Sequence, residues 1–234
     1  MAASRQEFGL ALDELSSAYD EQTSLCSPFL RVVPSDGAVV STFGTAFGAE
    51  TVCASAPWAA LFDEHQIDLG EGPGWDALSS HAVVTIHDTL SPANILWPAL
   101  LSAVGADDVR GLSSFPLMLG SLMIGAVGLY SLQPFTLSET EKADAGVLAG
   151  VAARQVLRRS LATQPMRTGK VDNESYSRRI VHQATGMVLA QLNLSAADAL
   201  LIIHGHAFST DRTVREVATD VVARRLDLSS MLDS

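Results

Sequence analysis

The residues best suited to chemistry lie in the last quarter of the sequence, and they suit a phosphate-bearing ligand. Arg178, Arg179 and His182 stand one to two helical turns ahead of Ala184-Thr185-Gly186, and Arg212, Thr213 and Arg215 open a later helix. Guanidinium groups fork onto phosphate oxygens, and a helix N-terminus offers backbone N–H groups to the same anion. A run of small side chains lets a polymer backbone come close. The same pattern also fits solvated helix faces, with Ala184 and Gly186 serving only tight helix packing. His204 and His206 gain charge in mild acid, or are ordinary surface residues.

Elsewhere the reactive side chains are sparse. His81 and His87 fall on one face of a predicted strand and could ligate a metal or haem, but a lone pair of strand histidines is weak support, and no metal is expected. Glu71 and Asp76 are a possible carboxylate pair in a glycine-rich loop, expected to shape that loop. The two cysteines, Cys26 and Cys53, lack a metal-ligand spacing and are too few for a disulfide framework. No Walker loop, Gly-x-Ser-x-Gly elbow, zinc spacing or dinucleotide fingerprint is present, so an enzyme is not expected.

The 234 residues are 47% hydrophobic and 18% charged, an ordinary globular composition with ample material for a core. The formal net charge of −11 is lopsided: residues 1–160 hold seven Lys/Arg against 18 Asp/Glu, whereas residues 161–234 hold eight of each. Phosphates are repelled by the acidic part, so contact with an acidic polymer belongs on the neutral C-terminal part. No basic start followed by an apolar stretch marks a signal peptide, and the most apolar run, Leu117 to Leu132, is broken by three glycines. A cytoplasmic protein without membrane contact is expected.

The elements that must position these residues can be read from periodicity and punctuation. A helix is predicted over 5–25 from Phe8, Leu12, Leu15 and Tyr19, and strands over 37–43, 50–55 and 81–87. Helices are predicted over 57–69 and 93–104, the latter burying Ile95, Leu96 and Leu100. Residues 70–76, with three glycines and a proline, read as a shaped loop. Residues 114–119 and 122–131 form a hairpin about Gly120-Ser121, a pair suited to a type II′ turn. Thr136 with Glu139 reads as a capping box opening a helix to about Ser160, whose stripe of Val147, Leu148, Val151, Ala152 and Gln155 suits a second copy. A polar linker over 163–173 precedes three short helices. Ser195 with Asp198 caps the second and Thr213 with Glu216 the third, and each helix has one apolar stripe. Three such helices can share a small core.

Residues 175–226 resemble the ANTAR family of transcription-antitermination output domains. The family's small-residue pattern falls on Ala184 and Gly186, then Ala199 and Ala207, then Val217 and Ala218. Residues 35–157 resemble a GAF domain, through GEGPGWDAL (70–78), SSFPLML (113–119) and IGAVGLYSLQPFTLSETE (124–141). The sequence departs from the ANTAR pattern at Thr185, where the family usually has a basic residue, and at His204-Gly205-His206, where arginines are common.

The resemblance implies an α+β GAF domain, an antiparallel sheet with flanking helices, within 1–162, a linker over 163–173, and a three-helix ANTAR bundle over 174–234. It implies an RNA-binding antitermination regulator in which a sensory or dimerising GAF domain controls an output that binds paired stem-loops in nascent transcripts. A homodimer is expected, DNA is not, and an unidentified small-molecule GAF ligand is possible. The alternative is a ligand sensor or dimerisation protein whose C-terminal bundle binds a protein partner. Around the implied GAF cavity stand Phe43, Cys53, Phe62, Trp75, Trp97, Met118 and Tyr130, which equally suit a plain core.

Overall fold

A computed structural model describes residues 5–20, 22–43, 48–91, 96–104, 109–163, 173–192, 194–210 and 212–228; the side chains of 163, 173–179, 182, 196 and 197 fall outside the description. The chain divides into two compact units, Met1–Thr168 and Gly169–Ser234.

In the first unit the elements run α1 (Arg5–Ser16), α2 (Ser27–Val32), β1 (Gly37–Thr42), β2 (Glu50–Ala54), α3 (Pro57–Leu69), α4 (Pro73–Ser80), β3 (Val84–Ile86), α5 (Pro98–Val104), β4 (Gly111–Leu119), β5 (Leu122–Ser131) and α6 (Glu139–Thr163). The strands form one sheet in the order β2-β1-β5-β4-β3, and every pairing is antiparallel. The β4–β5 hairpin turns at Gly120, which takes φ 60 while Ser121 stays out of the left-handed region. That is the backbone of the expected turn.

Successive strand residues point to opposite faces, and both faces are covered. Val40, Phe115, Leu117, Val127 and Leu129 pack under α1, α2 and α6. Val39, Leu112 and Tyr130 pack with Ala59 and Phe62 of α3, and with Trp97 and Leu100 near α5. The α6 stripe expected to meet a second copy is largely consumed inside the unit. Leu148 and Ala152 are core, and buried Gln155 donates to the carbonyls of Leu15 and Ser16 at 3.1 and 2.8 Å.

Several sequence expectations shift. The predicted helix over 5–25 stops at Ser16, and Tyr19 is exposed. The glycine-rich loop contains α4: Gly72 precedes it at φ 140, and a Cβ there would meet Gln66 and Leu100. Leu96 is exposed, Leu100 is buried, and Ile95 lies outside the described residues. The capping box of α6 is Ser138 with Glu141, two residues later than expected: Glu141 accepts from the Ser138 N–H at 2.7 Å, and the Glu141 N–H donates back to the Ser138 hydroxyl at 3.3 Å. Thr136 is drawn off to the His87 ring, 2.9 Å away. The two cysteines, read from the sequence as too few for a disulfide framework, form a Cys26–Cys53 disulfide with their Cα atoms 6.3 Å apart.

The second unit holds α7 (Asn173–Leu192), α8 (Ala196–Ser209) and α9 (Val214–Val222). Ile180, Ala184 and Val188 of α7, Ala199, Ile203 and Ala207 of α8, and Val214, Val217, Ala218 and Val221 of α9 make its core. Both expected caps form. Ser195 accepts from the Asp198 N–H at 3.1 Å, and Thr213 and Glu216 complete a reciprocal box. Among the described residues no helix is long and apolar enough to cross a membrane.

Candidate functional site

Each unit carries its own candidate site. In the first unit, five of the seven expected cavity residues gather on the α3 side of the sheet or close to it. Phe43 meets Trp75 edge-on with centroids 4.9 Å apart, and Phe62 lies 4.5 Å from Tyr130. The Trp97 indole donates to Asp76 at 3.0 Å, and the Trp75 indole to the Gln66 carbonyl at 2.8 Å. The other two residues are elsewhere. Cys53 pairs opposite Val40, which puts it on the opposite face under the helical layer. Met118 sits at the hairpin end, opposite Met123.

Beneath these rings lies a polar cluster that sequence reasoning missed. The buried Asp63 carboxylate accepts from the hydroxyls of Ser41 and Thr51, the latter at 2.6 Å, and from Gln66 Nε2 at 2.5 Å. Gln66 also accepts from the Gly74 N–H at 2.9 Å and lies 3.4 Å from the Tyr130 hydroxyl. Burial pushes the Asp63 carboxyl above the usual range, and the donated hydrogen bonds only partly offset it. Burial likewise raises the Tyr130 phenol well above its ordinary value, and the nearby Asp63 charge adds to the shift. A Cβ at Gly128 would collide with the Tyr130 hydroxyl, so this glycine makes room for the phenol. Ser114, paired with Gly128 on the neighbouring strand, has a buried hydroxyl with no partner among the described residues.

Beside Phe62 opens a cavity of about 260 Å³, walled by Trp58, Leu61, Phe62, Val104, Val109 and Leu132. Its lining suits an apolar guest. The carboxylates of the glycine-rich loop serve the fold: Glu71 accepts from the Leu100 N–H at 2.7 Å, and Asp76 holds Trp97. His81 and His87 do not share a strand face. His81 ends α4 in the left-handed region at φ 54, and His87 sits 2.9 Å from the Phe135 carbonyl oxygen. Among the described residues no group of three or more His, Cys, Asp or Glu could hold a metal ion.

In the second unit the expected small-residue patch is divided by the packing. Ala184 is fully buried in the three-helix core, and the Thr185 hydroxyl, also buried, donates to the Val181 carbonyl at 2.8 Å. Only Gly186 of the three faces solvent, with open space where a Cβ would stand. The side chains of Arg178, Arg179 and His182 lie outside the described residues.

At the start of α9, the Thr213 N–H donates to Glu216 at 3.0 Å and the Glu216 N–H to the Thr213 hydroxyl at 3.2 Å. Two backbone donors are thereby used internally, and the Glu216 carboxylate stands beside the terminus. The helix end is therefore a poorer anion seat than its sequence suggests. The guanidinium groups compensate in part. Arg212 and Arg225 both bind Asp220, at 2.6 and 2.7 Å, and hold its carboxyl below the usual range, Arg212 contributing most. Arg225 thus joins Arg212 on one surface, a link between positions that no spacing rule pairs. Exposed Arg215 opens α9. On α8, Leu201 is 70% exposed and Phe208 63% exposed, one either side of exposed Gly205.

Residues 171–222 match the family model of the ANTAR domain. The first unit shares the fold of GAF domains. The GAF domain of a phosphoenolpyruvate-protein phosphotransferase from Coxiella burnetii aligns with a TM-score of 0.53 at 17% identity, over 69% of this chain and 96% of that one. The GAF domain of an Acinetobacter phosphoenolpyruvate-protein phosphotransferase aligns with a TM-score of 0.52 at 13% identity, over 71% and 96%. The chromophore-binding domain of the R. palustris bacteriophytochrome RpBphP3 aligns with a TM-score of 0.51 at 15% identity, over 67% of this chain and 62% of that one. No curated protein is significantly similar to the chain.

Proposed function

We propose that this chain is an RNA-binding transcription antitermination regulator, in which a GAF-fold unit senses a signal and dimerises, and an ANTAR output binds paired stem-loops in nascent transcripts. The observation that carries this reading is the ANTAR match over 171–222, on a segment whose three helices close a core of their own. RNA loops are read by stacking unstacked bases on flat side chains while guanidinium groups hold the phosphates. The outward groups of the second unit match these roles, with Arg212, Arg215 and Arg225 for phosphates, Phe208 for a base, and Gly186 for close approach. Ala184 and Thr185 support this surface from within.

A second copy fits the outer face of the first unit. Leu10 of α1 and Val147 of α6 are 54% and 50% exposed, and Gly146 and Gly150 leave open space beside Val147. Two protomers joined here would bring two outputs to two stem-loops. The unit's cavity and buried polar cluster accommodate the signal, and regulation without catalysis in the cytoplasm completes the reading.

The test is binding of the full chain to an RNA with two tandem hairpins, against one hairpin and a scrambled sequence, over a series of salt concentrations. The proposal expects the tandem RNA to bind tightest, with affinity falling as salt rises. Equal binding of all three would sink it. One observation favours a second reading. The exposed Leu201 and Phe208 also make an apolar strip fit for a protein partner. Salt-insensitive capture of a protein, lost with Leu201→Glu, would select it.

A further inference from the structure

The chain has two cysteines, 27 residues apart, and in the first unit their sulfurs are bonded to one another. The two ends of the bond are unequal. Cys26 is fully buried in the core beneath α1 and α6, just ahead of α2. Cys53 is half-buried on β2, the edge strand, which pairs with β1 alone. Of the two residues Cys53 is the more exposed, so attack by an incoming thiolate is favoured at its end of the bond. We propose that Cys26–Cys53 is a reversible thiol–disulfide site that exchanges with dithiol reductants and fastens or releases β2 from the helical layer containing α6.

The exchange balances as two displacements. One thiolate of the reductant attacks Cys53 Sγ, the Cys26–Cys53 bond breaks, and its electron pair leaves on Cys26 Sγ, which takes up a proton. The second thiol of the reductant then attacks its own sulfur in the mixed disulfide. Cys53 leaves as a thiol and the reductant as a cyclic disulfide. Two electrons and two protons have entered the protein. Reoxidation runs the same steps backwards, with a small or protein disulfide as the acceptor.

The contacts at each end decide what the bond controls. β2 is also held by the β1 ladder, which is irregular between Val40 and Ser41, by the Thr51 hydroxyl on Asp63, and by Val52 and Ala54, which pack against the two core clusters. Reduction therefore loosens the strand and leaves the sheet in place. At the other end, the Ser24 hydroxyl accepts from the N–H groups of Cys26 and Ser27, both at 3.1 Å. The neighbouring Thr23 carbonyl accepts from the Arg159 guanidinium of α6 at 2.8 Å, and the Ala18 carbonyl accepts from it at 3.2 Å. A change at Cys26 reaches the last turns of α6 through two residues and one guanidinium.

The 234-residue chain is oxidised, and its free thiols are counted by alkylation and mass. It is then treated with dithiothreitol without denaturant, counted again and reoxidised, with hydrogen exchange followed in each state. The expected counts are none, two and none. Exchange should rise several-fold on reduction at 50–54, 23–28 and 156–163, with β4 and β5 unchanged. Cys53→Ser should show the reduced pattern without reductant; the wild-type comparison needs no variant, should that one fold poorly. Two free thiols after oxidation would overturn the proposal. So would a bond that yields to dithiothreitol only after unfolding, or reduction that leaves exchange in α6 unaltered.

Discussion

The hydroxyl of Thr51, on the edge strand β2, donates to the buried carboxylate of Asp63 on α3 at 2.6 Å. Because burial raises this carboxyl, the folded state keeps its proton to higher pH than the unfolded chain does. Its contribution to stability is greatest below the unfolded value of 3.8 and is lost as pH rises through the folded value. Denaturant titrations of wild type and Asp63→Asn from pH 4 upward should diverge in slope. Wild type loses stability relative to the variant as pH rises, and a constant difference between them would show that Asp63 does not titrate differently on folding.

The disulfide closes a 27-residue separation, so its loss frees the unfolded chain. By loop-closure entropy, Cys53→Ser should lower the stability of the first unit by about 3 kcal/mol under oxidising conditions. Under strong reductant the two proteins should converge. Urea unfolding in both conditions provides the measurement.

Gln155→Leu should destabilise the first unit by about 1–3 kcal/mol, because the last carbonyls of α1 would lose their donor in a buried place. Faster hydrogen exchange in α1 should accompany the loss.

Thr213→Ala should lower the stability of the second unit by about 1 kcal/mol, by removing a helix cap and half of its reciprocal box. Thermal unfolding followed by helical circular dichroism checks it. Thr213→Ser, which keeps the hydroxyl, should restore most of the difference.

Arg215→Ala should weaken tandem-hairpin RNA uniformly across loop sequences and reduce the slope of log affinity against log salt by about 1. Phe208→Ala, removing a 63% exposed ring, should weaken binding without changing that slope. Filter binding or anisotropy at several salt concentrations separates the two. An unchanged slope for Arg215→Ala would remove that residue from the phosphate contacts.

Much of the architecture could be read from short-range patterns. Gly120-Ser121 marked its hairpin, Ser195 and Thr213 marked two helix starts, and the stripes Ile180/Ala184/Val188 and Val217/Ala218/Val221 marked a shared core. Each depends on residues within a few positions of one another, where local sterics and hydrogen bonding decide the outcome. The start of α6 shows the limit. Its segment contains two overlapping capping boxes, Thr136 with Glu139 and Ser138 with Glu141, and local chemistry does not rank them. His87, 49 positions from Thr136, takes the first hydroxyl and leaves the second box to form.

The candidate sites were less legible, for the same reason. By itself the sequence determined which residues were small, charged or aromatic, where helices and turns begin, and that a neutral helical tail follows an acidic α+β part. The tertiary structure decided that Ala184 and Thr185 face inward while Gly186 faces out, that Asp220 joins Arg212 to Arg225, that Asp63 is buried under Ser41 and Thr51, and that Cys26 meets Cys53. Burial and pairing are set by what packs against a side chain from elsewhere in the chain, and a reading that sees only sequence neighbours has no measure of that.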